Sequence, residues 1–223
     1  MAEDRVLQGR AQAGVLETNK VIRNTYMLLS MTLLFSAVTA GLSMYLNVGM
    51  GAYWISFLGG MALLFVIPRF ANSAAGIGLV FAFTGLLGFG IGPILSAYVA
   101  AFSNGPQLVM TALGGTGVIF LGLSAYALTT RKDFSFLGGF LFVGVLVAFL
   151  AGIGAALFGL STLSLVVSAM FVLLMAGMIL YQTSAIIHGG ETNYVLATIS
   201  LYVAIYNLFL SLLHLLAAFA GER

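Results

Sequence analysis

Residues 194–219 read YVLATISLYVAIYNLFLSLLHLLAAF and contain no charged side chain and no proline. A helix needs about 20 predominantly apolar residues to cross the hydrocarbon core of a bilayer. This stretch is long enough to do so. It therefore predicts a transmembrane helix near the end of the chain.

Six further apolar runs precede this one along the chain. They cover residues 26–46, 50–67, 77–102, 108–128, 134–158 and 163–187. Polar residues, Gly or Pro separate them, and Pro lacks the backbone N–H that a continuing helix needs. The second run is expected to end at Pro68. The sequence thus predicts an all-α integral membrane protein, with a cytoplasmic tail over residues 1–24 and a bundle of seven transmembrane helices over residues 25–220.

The composition points the same way. Hydrophobic residues make up 61% of the chain and charged residues only 6%, whereas a soluble domain carries roughly 25% charged residues. The chain has no cysteine, which rules out disulfides, thiolate metal sites and a cysteine nucleophile. Its few basic residues are spread over tails and loops rather than along one face, so nucleic-acid binding is not indicated. A lipid bilayer is the expected surroundings.

The basic residues also predict the orientation. With seven spans, seven of the eight Lys and Arg residues fall on one side: Arg5, Arg10, Lys20, Arg23, Arg69, Arg131 and Lys132, against Arg223 alone on the other. Basic residues accumulate on the cytoplasmic side of membrane proteins, so the N-terminus is expected inside and the C-terminus outside. Two alternatives are a re-entrant last segment with both ends inside, and a first span that is a cleaved signal peptide; a long polar leader and the lack of a clear cleavage site count against the second.

Ionisable residues inside the spans are scarce. All six acids lie in tails or loops, which argues against proton relays, ion-coupled transport and aspartyl proteolysis within the membrane, since each needs buried carboxylates. There is no HExxH motif, and His188 and His214 are not spaced as a metal pair on one helix. We therefore expect no catalytic residues, no metal site, no cofactor and no enzymatic activity.

The last run carries a polar stripe. Ser200, Asn207, Ser211 and His214 are separated by seven, four and three residues, a spacing that places them on one helix face. Such a stripe must face protein or water, which suggests that this helix runs through the middle of the bundle. The stripe could line a pathway. The alternative is hydrogen bonding between helices, worth about 0.6 kcal/mol per contact.

Three loop residues near the predicted cytoplasmic face form a second candidate site: Asp133, His188 and Glu191. A histidine side chain titrates near physiological pH. His188 could therefore sense protons if Asp133 or Glu191 lies close to it. The alternative is that these are ordinary solvated loop residues.

Three stretches carry a family resemblance: FAFTGLLGFGIGPIL at 81–95, SAYALTTRKDFSFLGG at 124–139 and IIHGGETNY at 186–194. They resemble the bacterial YccA branch of the Bax inhibitor-1 (TMBIM) family, as does the segment at 19–26 leading into the first span. The resemblance covers nearly the whole chain. It implies a seven-helix fold in which the other six helices surround the last.

The resemblance implies two different functions. The YccA branch is associated with inhibition of FtsH, the membrane-anchored ATP-dependent protease, and a flexible N-terminal tail would suit that role. Other branches act as pH-sensitive calcium leak channels, which use paired aspartates in helices six and seven and an arginine in helix two. Here Gln182 takes the first aspartate position, the second falls around Ser200 to Ala204 with no acid, and Arg69 could match the arginine. A leak through this bundle would be gated near Gln182, Arg69 and the polar stripe of the last run. Two carboxylates can share protons and calcium; Gln and Ser cannot titrate.

Overall fold

The structure is a computed structural model that describes residues 2–221, with side chains from Leu16 onward. The described chain folds into seven α-helices, each long and apolar enough to cross a membrane. They are α1 (Ala2–Tyr45), α2 (Gly51–Phe70), α3 (Ala74–Ala101), α4 (Gly105–Thr130), α5 (Leu137–Phe158), α6 (Ser161–Ile187) and α7 (Tyr194–Gly221). The predicted seven-span, all-α fold is confirmed.

Several helix ends differ from the sequence prediction, and three of them have a clear cause. Helix α1 begins at Ala2, so the expected flexible tail is helical; residues 2–20 contain no proline and are rich in Ala, Leu, Glu, Gln and Arg, which are good helix formers. Helix α2 continues through Pro68 to Phe70. Helix α4 begins three residues early because Pro106 occupies its first turn, where a missing N–H costs little.

Small residues let α3 pack closely on α1 and α2, and these two contacts are among the most extensive in the fold. A Cβ atom at Gly88 would overlap the carbonyl oxygen of Ser36 on α1, and one at Gly92 would overlap the Ser43 side chain. Helices in lipid associate through such close packing, because the surrounding acyl chains are as apolar as their side chains.

Helix α7 packs against α6, α4, α1 and α3. Tyr202, near its middle, is 1% exposed. The Tyr202 hydroxyl lies 2.6 Å from Ser36 Oγ on α1 and donates to the Thr84 carbonyl oxygen on α3 at 3.2 Å. One side chain thereby ties three helices together. That α7 is surrounded by all six other helices stays a prediction.

The loops α2–α3, α4–α5 and α6–α7 meet at one end of the bundle, which we call the basic end because Arg69, Arg131 and Lys132 lie there. Asn193 joins two of these loops by donating from Nδ2 to Asn72 Oδ1 at 2.7 Å. Its Oδ1 accepts from the backbone N–H groups of Val195 and Leu196 at 2.9 and 3.2 Å. This is how an asparagine caps the first turn of a helix.

Candidate functional site

A cleft of about 470 Å³ opens beside α7, and we call it the α2–α5 cleft. Helix α2 makes its extensive contacts with α3, and α5 makes its own with α6. The two helices therefore flank a gap whose floor is formed by α6 and α7. The lining residues are mostly apolar; they include Phe57, Met61 and Leu64 of α2, Val145 and Phe149 of α5, and Met175, Met178, Val203 and Ala204 of α6 and α7.

Three residues predicted as pathway residues line this cleft together: Gln182, Ser200 and Asn207. Asn207 donates from Nδ2 to the carbonyl oxygen of Val203 at 2.8 Å. Gln182 makes only a long contact of 3.8 Å from Nε2 to the sulfur of Met178. Within the described chain, neither amide carbonyl oxygen has a hydrogen-bond donor. The cleft thus offers two amide oxygens and a hydroxyl within an apolar wall.

The other three predicted pathway residues lie elsewhere. Arg69 is exposed at the end of α2 and does not line the cleft. Ser211 is buried in the bundle. His214 Nδ1 lies 2.7 Å from Ser168 Oγ on α6. The stripe is therefore divided: two members face the cleft, whereas His214 makes the helix-to-helix hydrogen bond that the alternative interpretation predicted. Their role in a pathway stays a prediction.

A second cleft, of about 270 Å³, lies on another side of α7. We call it the α1–α4 cleft, since α1, α3, α4 and α7 line it. Three of its four hydroxyl groups are bonded within the protein: Ser36 to Tyr202, and Thr116 Oγ1 to the carbonyl oxygen of Ala112 at 2.7 Å. Only the Tyr206 hydroxyl has no partner among the described residues, so the α1–α4 cleft offers fewer free polar groups than the α2–α5 cleft.

At the basic end, His188 holds the α4–α5 loop against the end of α6. Its Nδ1 lies 2.9 Å from the carbonyl oxygen of Ser184, and its Nε2 lies 3.1 Å from the carbonyl oxygen of Arg131. The Ser184 hydroxyl lies 3.3 Å from the same Nδ1, so the ring contacts both the backbone and the side chain of Ser184. Arg131 is held in the left-handed region with φ of 49°, a conformation that an L-residue adopts at a cost.

Ser184 links the same two segments. Its Oγ accepts from the backbone N–H of Phe134 at 2.9 Å and donates to the carbonyl oxygen of Lys132 at 3.3 Å. Phe134 is thereby held in the loop, and α5 begins only at Leu137, although apolarity alone predicted a run from 134. Neither Ser184 nor Ser168 was singled out from the sequence, because a serine within an apolar run has many structural uses.

The acids near His188 play separate roles. Asp133 Oδ1 accepts from the backbone N–H of Ser135 at 2.8 Å. Hydrogen bonds from Ser135, and to a smaller extent the charge of His188, lower the pKa of Asp133 below its usual value. Glu191 instead accepts from the backbone N–H of Asn193 at 2.7 Å. The predicted trio is therefore brought to one end of the bundle, where the charge of His188 acts on Asp133.

Glu191 also lines a cavity of about 480 Å³, which lies between α1 and the α6–α7 loop. The other charged and amide side chains that line it are Glu17, Lys20 and Asn24. Among the described residues, no three of His, Asp and Glu are grouped as metal ligands. The cavity is mixed in charge, so it does not specify a ligand by electrostatics.

Fold and site together define the class: a multi-pass membrane protein of seven helices with lateral clefts beside its last helix. The family model for the inhibitor of apoptosis-promoting Bax1 matches residues 18–221. The chain belongs to that family, the Bax inhibitor-1 family.

Relatives in bacteria and animals share nearly the whole length. The modulator of FtsH protease YccA of Escherichia coli K12 is 46% identical over 96% of this chain and 97% of its own. A protein of E. coli O6:H1 with the same identity and coverage is described as inner membrane protein YccA. Mouse protein lifeguard 4 is 32% identical over 88% of this chain and 84% of its own.

Proposed function

We propose that this chain is a non-enzymatic modulator of the membrane-bound FtsH protease, acting in the quality control of membrane proteins. The observation that carries the proposal is the 46% identity, over nearly the full length of both chains, to a relative described as a modulator of that protease. At this identity and coverage the two chains align over nearly their whole length. The proposed location is the bacterial inner membrane, with the N-terminus in the cytoplasm and the C-terminus outside.

Physical features of the bundle support this role. A processive protease must extract a membrane substrate helix by helix, against the packing that holds it in place. The Tyr202 hydrogen bonds tie α1, α3 and α7 together, and Gly88 lets α3 and α1 approach closely. A chain that binds the protease and resists extraction from the membrane stays bound to it without being degraded.

Binding is the first requirement. The purified chain and E. coli FtsH are co-reconstituted in vesicles of E. coli lipid, solubilised in mild detergent and captured through a tag on the chain. The control is an unrelated seven-helix membrane protein with the same tag. We expect capture of the protease well above the control. Capture equal to the control would contradict the proposal.

A second candidate function is a calcium leak through the bundle, favoured by the oxygens of Gln182, Ser200 and Asn207 in one cleft. Calcium prefers oxygen ligands, and carboxylates usually supply most of the charge. No carboxylate lines this cleft among the described residues, so the paired-aspartate switch of other branches has no counterpart here. Calcium flux into proteoliposomes at pH 5.5 and 7.5, against empty liposomes, tests this candidate. Flux at background level at both values would reject it.

A further inference from the structure

We infer that the α2–α5 cleft is a docking site for a transmembrane helix that carries hydrogen-bonding side chains along one face. The inference rests on the proposed function, because it assigns the surface through which the partner protease is held within the membrane. It commits to a helix of the partner, not to a lipid chain or a soluble ligand. Three observations on the cleft support that choice.

The first observation is that the cleft opens sideways. Its two rims, α2 and α5, make their extensive contacts with α3 and α6 and not with each other. Phe149, at the rim on α5, is 48% exposed. A partner in the bilayer can therefore reach the floor of the cleft laterally.

The second observation is the chemistry of the floor. The carbonyl oxygens of Gln182 and Asn207 have no donor among the described residues, and both residues line the cleft. Leaving a polar group without a partner in hydrocarbon is costly. An acyl chain has no donor to offer, whereas Ser, Thr, Asn and Gln side chains on a transmembrane helix donate such bonds.

The third observation is the direction of the polar groups. Ser200 and Asn207 lie seven residues apart on α7, which corresponds to about 10 Å along the helix axis. The polar positions therefore follow the length of α7 over two turns. This arrangement matches a helix that lies alongside α7 better than a compact ligand.

The α1–α4 cleft provides a matched comparison. It also borders α7, and Leu113 at its edge is 50% exposed. Three of its four hydroxyl groups, however, are bonded within the protein, and only that of Tyr206 has no partner among the described residues. It therefore offers a polar helix face one free hydroxyl, whereas the α2–α5 cleft offers two amide oxygens and a hydroxyl.

Site-specific photocrosslinking tests the inference in the full chain. Benzoylphenylalanine replaces either Phe149 or Leu113, and each form is co-reconstituted with E. coli FtsH and illuminated. We expect an adduct with a transmembrane segment of the protease from position 149, at a yield about tenfold above that from position 113. Equal yields, a higher yield from 113, or no adduct from either while the protease is still captured would overturn the inference.

A second pair of variants fills each cleft. Ser200→Phe places a ring in the α2–α5 cleft, and Ala37→Phe does the same in the α1–α4 cleft, each checked for folding by gel filtration. We expect S200F to weaken protease binding about tenfold, which is 1.4 kcal/mol, and A37F to leave it unchanged. Equal binding by both variants would overturn the docking site alone. Failure of the unmodified chain to bind would overturn the proposed function as well.

Discussion

At the residue scale, His188 fastens the α4–α5 loop to the end of α6. Its Nδ1 lies 2.9 Å from the carbonyl oxygen of Ser184, and its Nε2 lies 3.1 Å from the carbonyl oxygen of Arg131. The charged groups around it are Arg131, Lys132 and Asp133 on the α4–α5 loop and Glu191 on the next loop.

His188→Leu is expected to lower the free energy of unfolding by about 1–2 kcal/mol, because the α4–α5 loop loses its hydrogen bond to the ring. The measurement is the thermal unfolding midpoint in detergent. Thr192→Ala, an exposed change in the neighbouring loop, is the control and is expected to leave the midpoint unchanged. A midpoint of H188L equal to that of the wild type would show that the hydrogen bonds of His188 contribute little to stability.

Tyr202→Phe is expected to lower the free energy of unfolding by about 1–2 kcal/mol, because the bonds to Ser36 and Thr84 are lost and the buried Ser36 hydroxyl is left without this partner. Tyr206, one turn later, lines the same α1–α4 cleft, and its hydroxyl has no hydrogen bond within the described chain. Tyr206→Phe is thus the control and is expected to be nearly neutral. Titration with SDS measures both. Equal effects would show that the Tyr202 bonds contribute little.

At the scale of the helix, the α1–α3 contact depends on a few glycines. A Cβ at Gly88 meets backbone of α1, whereas one at Gly78, in the same helix, meets nothing within 4 Å. Overpacking costs about 1–3 kcal/mol, so Gly88→Ala should destabilise the bundle by that amount and Gly78→Ala should not. Unfolding in SDS distinguishes them. If G88A leaves the free energy of unfolding unchanged, α1 and α3 can move apart without a loss of stability, and the close contact is not needed.

Sequence predicted all seven helices because each apolar run has about the length that a membrane-spanning helix needs, and it was wrong at several helix ends. Phe134 belongs to an apolar run, yet its N–H bonds Ser184 across the fold. Pro68 was expected to end α2, but it lies within the helix. Periodicity placed Ser200 and Asn207 on one face of α7. It could not show that Gln182 joins them or that His214 pairs with Ser168, since both depend on how α6 lies against α7.

At the scale of the whole molecule, the loops of the basic end meet through the bonds of His188 and Asn193. The positive-inside rule predicts that this end lies in the cytoplasm. Because the chain has no cysteine, single cysteines report accessibility cleanly. We expect Asn104→Cys to react with a membrane-impermeant maleimide in intact cells, and Lys132→Cys to react only after the cells are opened. The reverse labelling pattern would show that the chain has the opposite orientation in the membrane.

The central claim is that this chain restrains the membrane protease, and the rate of substrate degradation tests it most directly. Purified FtsH is reconstituted with ATP and a labelled membrane substrate, with increasing amounts of this chain or of an unrelated seven-helix protein. We expect the half-life of the substrate to rise with the amount of this chain, while the chain itself is not degraded. The control protein is expected to leave the half-life unchanged. An unchanged half-life at a molar excess of the chain would contradict it.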